Sequence, residues 1–163
     1  MDYEYYKSKV QQVSVFPIDR RWGQGRSVFG GLIAALLLAR IEQKTGFTDR
    51  DLRTINIHFC GVVIPEHPCE FTHRVLSEGK SVVQVEGQLL QDGQVKTQIV
   101  ACFSAPRPSS IQVKHNLVFA KKSVSQALKF PFAEGVVPEF FCDFDLRITE
   151  GSLPFSGSEE LKL

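Results

Sequence analysis

The stretch from Gly25 to Gln43, GRSVFGGLIAALLLARIEQ, constrains the fold more than any other part of the sequence. From Leu32 to Ala39 apolar residues run nearly all the way round a helix. Polarity returns only at Arg40, Glu42, Gln43 and Lys44, and Gly46 after Thr45 is a natural C-terminal stop. A helix apolar on every side has to be surrounded, so the remaining elements must wrap it.

Those elements read as strands. In LRTINIHFCGVVIP, Ile55, Ile57 and Phe59 alternate with Thr54, Asn56 and His58, which predicts a strand with one buried face. CEFTHRVLSEGK supplies another strand ending in a Glu-Gly-Lys turn. SVVQVEGQLLQDGQVKTQIVACFSA then holds two runs around Asp92-Gly93, a pair suited to a primed hairpin turn. VQQVSVFPI, from Val10, is a possible first strand after a tyrosine-rich start that either covers an edge or lies loose. One long helix followed by at least four strands in meander order predicts an α+β domain, with a strongly twisted antiparallel sheet curled around a central helix.

Beyond Ala105 the pattern breaks. PRPSS reads as a hinge, a short helix is expected near Ser123 to Leu128, and a strand pattern returns in EFFCDFDLRITE. The expected organisation is a domain over 10–106, a linker over 107–137, and over 138–163 the first strand and turn of an incomplete second domain.

Composition narrows the function classes. A chain of 163 residues with 43% hydrophobic and 23% charged residues suits one domain with a real core. Its net charge of +1, with 19 Lys and Arg spread out, argues against nucleic-acid binding through phosphate neutralisation. The 4 cysteines form no CxxC pair and the histidines show no zinc spacing, which predicts reduced, partly buried thiols and neither metal nor cofactor. The N-terminus lacks a signal-peptide core, and LIAALLLA is far below the ~20 residues of a spanning helix. The expectation is a cytoplasmic protein without membrane association.

Chemistry concentrates at two places. Phe29, Gly30 and Gly31 open the helix, where free N–H groups and the positive end of the dipole suit an anion or a developing oxyanion. Equally, the two glycines serve close helix-to-sheet packing. Asn56 and His58 share the polar side of a strand, where a histidine serves as a base or simply faces solvent or a neighbouring chain. Glu42, Asp49 and Asp51 surround the far end of the helix, and Cys60 and Cys102 lie in apolar runs that predict unreactive thiols.

Trp22, Gly25, Arg26 and Phe29-Gly30-Gly31 ahead of LIAALLLA, then INIHFCGVVIP and EGKSVVQVEGQLLQDGQVKTQIVACFSAP, resemble in order the amino-terminal half of the double-hotdog acyl-CoA thioesterases related to thioesterase II. VVPEFFCDFDLRITEGSLPFSG looks like the linker end, first strand and Pro-Phe-x-Gly turn of the second hotdog. The resemblance implies a hotdog fold and hydrolysis of an acyl-CoA thioester by a homodimer that reproduces the two-domain shape. Gly31 and His58 are then the catalytic candidates, with Phe29, Gly30, Asn56 and Arg26 as substrate-binding residues. In that family catalysis is carried by an aspartate near the start of the second domain's central helix, with a hydroxyl residue and a glutamine on nearby second-domain strands, and the resemblance implies no counterpart for them among these residues. The alternative is a non-catalytic acyl-binding or assembly domain, or one half of a split or shortened thioesterase.

Overall fold

The computed structural model describes residues 1–111, 120 and 122–152. The chain divides into two compact units, Met1–Pro108 and Ser109–Leu163. In order, the first unit contains α1 (Tyr3–Gln12), β1 (Val15–Pro17), a 3₁₀ turn (Arg20–Trp22), β2 (Gly23–Gln24), β3 (Ser27–Val28), α2 (Gly30–Thr45), β4 (Asp51–Phe59), β5 (Pro68–Glu78), β6 (Val82–Gln91) and β7 (Gln94–Ser104).

The central helix is where the sequence puts it. Leu32, Ile33, Ala34, Leu36, Leu37, Ala39 and Ile41 are buried, and Gly46 ends the helix in the left-handed region at φ 62°, its N–H on the Glu42 carbonyl at 3.0 Å. Beneath it lies a 5-stranded antiparallel sheet in the order β1-β5-β6-β7-β4. Asp92 (φ 51°) and Gly93 (φ 71°) make the two-residue turn between β6 and β7, as both positive dihedrals of a primed hairpin require. Phe71, Val83, Val85, Leu89, Ile99 and Ala101 are fully buried against α2, and the architecture is the α+β hotdog arrangement.

Three expectations change. The expected first strand is confined to Val15–Pro17, and Val10 belongs instead to a helix formed by the tyrosine-rich start. Tyr6 and Val10, four residues apart, bury one face of α1, and Asp2 caps it by accepting from the Tyr5 N–H at 2.9 Å. Tyr6, Phe16 and Phe71 stack in series, with centroids 6.1 and 4.9 Å apart, so α1 and β1 share one core. Strand order also departs from a meander: β4 pairs with β7, and the segment 60–67 carries the chain to β5 on the other side of the sheet. Lastly, β4 is an edge strand. Ile55, Ile57 and Phe59 share the α2 side with Ala101, Ile99 and Thr97, their partners on β7, yet Ile57 is 39% and Phe59 61% exposed. Alternation marked the inward side correctly; it could not mark the position at the edge.

In the second unit β8 (Leu128–Lys129) pairs antiparallel with β9 (Arg147–Ile148). The expected strand over 139–149 begins as a 3₁₀ turn, Glu139–Asp143, and only Arg147–Ile148 of it is strand; buried Phe140 packs on Phe141 and on Phe144, just past the turn, at 5.0 and 6.2 Å. Aromatics at positions 140, 141 and 144 cluster on one side of a helical turn, which overrides their strand propensity. The expected helix near Ser123 shrinks to one turn, with the Gln126 and Ala127 N–H groups on the Ser123 carbonyl. The Pro154–Gly157 turn and the segment 112–119 lie outside the described residues.

Candidate functional site

The start of α2 is held by backbone ties from both sides. Val28 N–H donates to Val63 O at 2.8 Å, Val63 N–H to Ser27 Oγ at 3.1 Å, and Phe29 N–H to Trp22 O at 2.8 Å. Trp22 is itself buried, its indole N–H on the Met1 carbonyl at 3.0 Å. These ties hold the β2–β3 hairpin and the 61–63 segment against the helix start. Among the described residues no side chain caps α2 and no acid stands in its first turn, so the first-turn N–H groups of Gly30 and Gly31, which an α-helix leaves without an intrahelical acceptor, are not taken by a capping side chain.

The two glycines sit in different surroundings. A Cβ on Gly30 would stand 2.8 Å from the Phe59 ring, so this glycine lets the edge strand close onto the helix. Gly31 is exposed, and a Cβ there would stand 2.5 Å from the ring of Phe29, which folds back over it. Beside Gly30 opens a cavity of about 230 Å³, walled by Val28, Ile33, Phe59 and Val63, with Gln24, Ser27, Gly61 and Thr97 completing it. No acid, histidine or cysteine is among these lining residues.

The other predicted site residues divide by strand face. Because Phe59 meets Gly30, its neighbour His58 points to the opposite side of the sheet, level with Gln98, and Asn56 follows with Val100. There Glu86 accepts from Gln98 Nε2 at 2.7 Å and from Arg74 Nη2 at 3.0 Å, giving that face a polar character. Within one chain His58 thus lies on the face of β4 turned away from the helix start, opposite the face that carries Phe59. Arg26 is exposed in the turn between Gln24 and Ser27, two residues that line the cavity.

Of the cysteines, Cys60 is exposed rather than buried, as is Cys142, because Cys60 lies just past the end of the edge strand. Cys69 is the buried one; burial pushes its thiol up to about 11, partly countered by the Gln91 amide. His67 pairs with Asp92 at 3.0 Å. His73 lies under α2, where burial, then the charges of Arg40 and Lys44, hold its pKa below the usual imidazole value. Among the described residues there is no group of three or more potential metal ligands, and no helix is long and apolar enough to cross a membrane.

Sequence reasoning missed Thr97. It is fully buried, lines the cavity, and its Oγ1 has no hydrogen-bond partner among the described residues. The signal was present: the alternation that marks Ile99, Ala101 and Phe103 as core places Thr97 in the same row.

The structure is similar to a protein provisionally named thioesterase II from Thermobifida fusca, at 16% identity over 84% of this chain and 53% of that one, with a TM-score of 0.64. A conserved hot dog fold protein of unknown function from Alicyclobacillus acidocaldarius matches at 17% identity over 77% of this chain and 46% of the other, TM-score 0.61. An acyl-CoA thioesterase II from Mycobacterium marinum matches at 21% identity over 60% and 38%, TM-score 0.54. The chain thus spans about half the length of these relatives or less. No curated protein matches the sequence. The family model for the acyl-CoA thioesterase N-terminal domain matches residues 18–104, more than half of the chain. Fold and family model agree, and the chain belongs to the acyl-CoA thioesterase N-terminal domain family.

Proposed function

We propose that this chain takes part in hydrolysis of an acyl-CoA thioester, with the start of α2 as the carbonyl-binding corner. The observation that carries this reading is the uncapped first turn opening beside an apolar-walled cavity, in a chain of this family. The Gly31 N–H polarises the thioester carbonyl, aided by Gly30 and the helix dipole, while Phe29 and the cavity walls take the acyl chain. Arg26, on the neighbouring turn, meets CoA phosphate. The group that activates water comes from a second copy or a second hotdog domain; His58 and Asn56 reach such a carbonyl only from another chain.

The lack of any acid, histidine or cysteine in the cavity wall favours one second reading, a domain that binds acyl groups without cleaving them. The deciding experiment follows free-thiol release from short, medium and long acyl-CoA by the full chain. With turnover, Gly31→Pro, which deletes an N–H of the first helical turn that has no intrahelical acceptor to lose, is expected to lower kcat about a hundredfold. Gly31→Ala, which keeps the N–H, is expected to lose less than about tenfold. Absence of turnover at every chain length, with binding retained, would leave the acyl-binding reading standing and remove the hydrolase reading for this chain alone.

A further inference from the structure

The cavity at the start of α2 contains one feature that helix-end chemistry does not explain. Thr97 is fully buried in an apolar cross-strand row, between buried Leu89 on β6 and Phe59 on the edge strand β4, and its Oγ1 has no partner among the described residues. Leaving such a hydroxyl unpaired is unfavourable, and a valine of the same shape would fill the row without that cost. The other hydroxyl of this cavity is already engaged: Ser27 Oγ accepts from the Val63 N–H at 3.1 Å and donates to Val28 O at 3.2 Å. A water held by Thr97 would need two to four polar partners, whereas the walls around it are mainly Val28, Ile33, Phe59 and Val63.

We propose that Thr97 is a ligand-contacting residue, whose hydroxyl donates to the carbonyl oxygen of an acyl group lying in the Gly30–Phe59 cavity. This rests on the acyl-CoA reading of the same site and adds to it a side-chain donor set into the sheet. The carbonyl is thereby approached from two walls, by backbone N–H at the helix start and by hydroxyl from β7. Phe59, exposed at the edge and lying against Gly30, forms the side of the cavity through which the acyl group enters. A hydroxyl with no base beside it is a poor nucleophile, so its part is hydrogen bonding to the carbonyl with no covalent step.

Two non-hydrolysable probes test this by calorimetry on the full chain: an oxoheptyl thioether of CoA, which keeps a ketone near the sulfur, and heptyl-CoA, which lacks it. Thr97→Val is expected to weaken the ketone probe about tenfold, the loss of one hydrogen bond, and heptyl-CoA less than about twofold. Unchanged heptyl-CoA binding also reports that the cavity is intact. Thr97→Ser, which restores the hydroxyl, is expected to recover most of the ketone affinity. Equal weakening of both probes, no weakening of either, or no binding of either by the unsubstituted protein overturns the proposal. The two readings part cleanly: Thr97-dependent ketone binding without thioester turnover removes the hydrolase and keeps this contact, whereas turnover that is indifferent to Thr97→Val does the reverse.

Discussion

At the scale of single residues, buried polar groups divide into those that finish a local hydrogen-bond pattern and those that do not. Gln91, 2% exposed, belongs to the first kind. Its Oε1 accepts from the Ile64 N–H at 2.8 Å, and its Nε2 donates to Ile64 O at 2.9 Å and His67 O at 3.3 Å, clamping the segment that carries the chain across the sheet. Gln91→Leu keeps the bulk but strands those backbone groups, and a loss of about 2 to 3 kcal/mol is expected in urea unfolding. His73 is linked to pH instead. Burial and the cations Arg40 and Lys44 hold its folded pKa below the unfolded value near 6.5, so the unfolded chain takes up the proton first as pH falls. The contribution of neutral His73 is complete above about pH 6.5 and is lost as pH falls below it. The urea midpoint is expected to drop between about pH 7 and pH 5 more steeply in the native sequence than in His73→Gln; parallel curves would show that His73 is not the titrating group.

At the scale of elements, α1 and α2 were unequally legible, and the reason is physical. An all-round apolar run such as Leu32 to Ala39 has no home but the centre of the fold, and Asp92-Gly93 dictates a turn by its dihedral tolerance alone. In α1 only Tyr6 and Val10 are buried, so its periodicity amounts to a single i,i+4 pair among polar residues. What holds α1 in place comes from far away in sequence: Arg40 on α2 donates from Nη1 to Val10 O at 2.9 Å and to Val13 O at 3.3 Å, satisfying carbonyls at the end of α1. Arg40→Met keeps the stem but deletes the donors. Relief from burying the guanidinium offsets part of the loss, so a net decrease of about 1 kcal/mol is expected. Amide hydrogen exchange should quicken throughout α1 while α2 stays protected. The candidate site was legible to the same partial extent. Gly30 and Gly31 are marked by residue type and alternation sets His58 on the face opposite Phe59, but the closure of Phe59 onto Gly30 at the sheet edge depends on pairing distant in sequence and shows only in the structure.

At the scale of the whole molecule, the open edge of the sheet decides what the site can become. Among the described residues β4 pairs on one side only, so a nine-residue strand offers its other side unpaired. Proteins usually guard such an edge with proline, lysine or a bulge. β4 has a bulge between Leu52 and Thr54 but neither proline nor lysine along its length, and it leaves Leu52, Ile57 and Phe59 substantially exposed. Two copies joining β4 to β4 would extend the sheet and cover these residues, bringing a second chain beside the Gly30–Phe59 cavity, which by itself contains no group able to activate water. Light scattering is expected to give about twice the 18.3 kDa chain mass. Ile57→Lys sets a charge into the joint and should return the mass to that of one chain with the fold retained by circular dichroism. A native chain that stays single at tens of micromolar, or an Ile57→Lys variant that stays double, rules out this edge as the joint. If the variant is single and thioester turnover disappears with the partner, the activating group is in the assembly; if a single chain keeps turnover, the whole reaction belongs to one copy and the water-activating residue must be sought there.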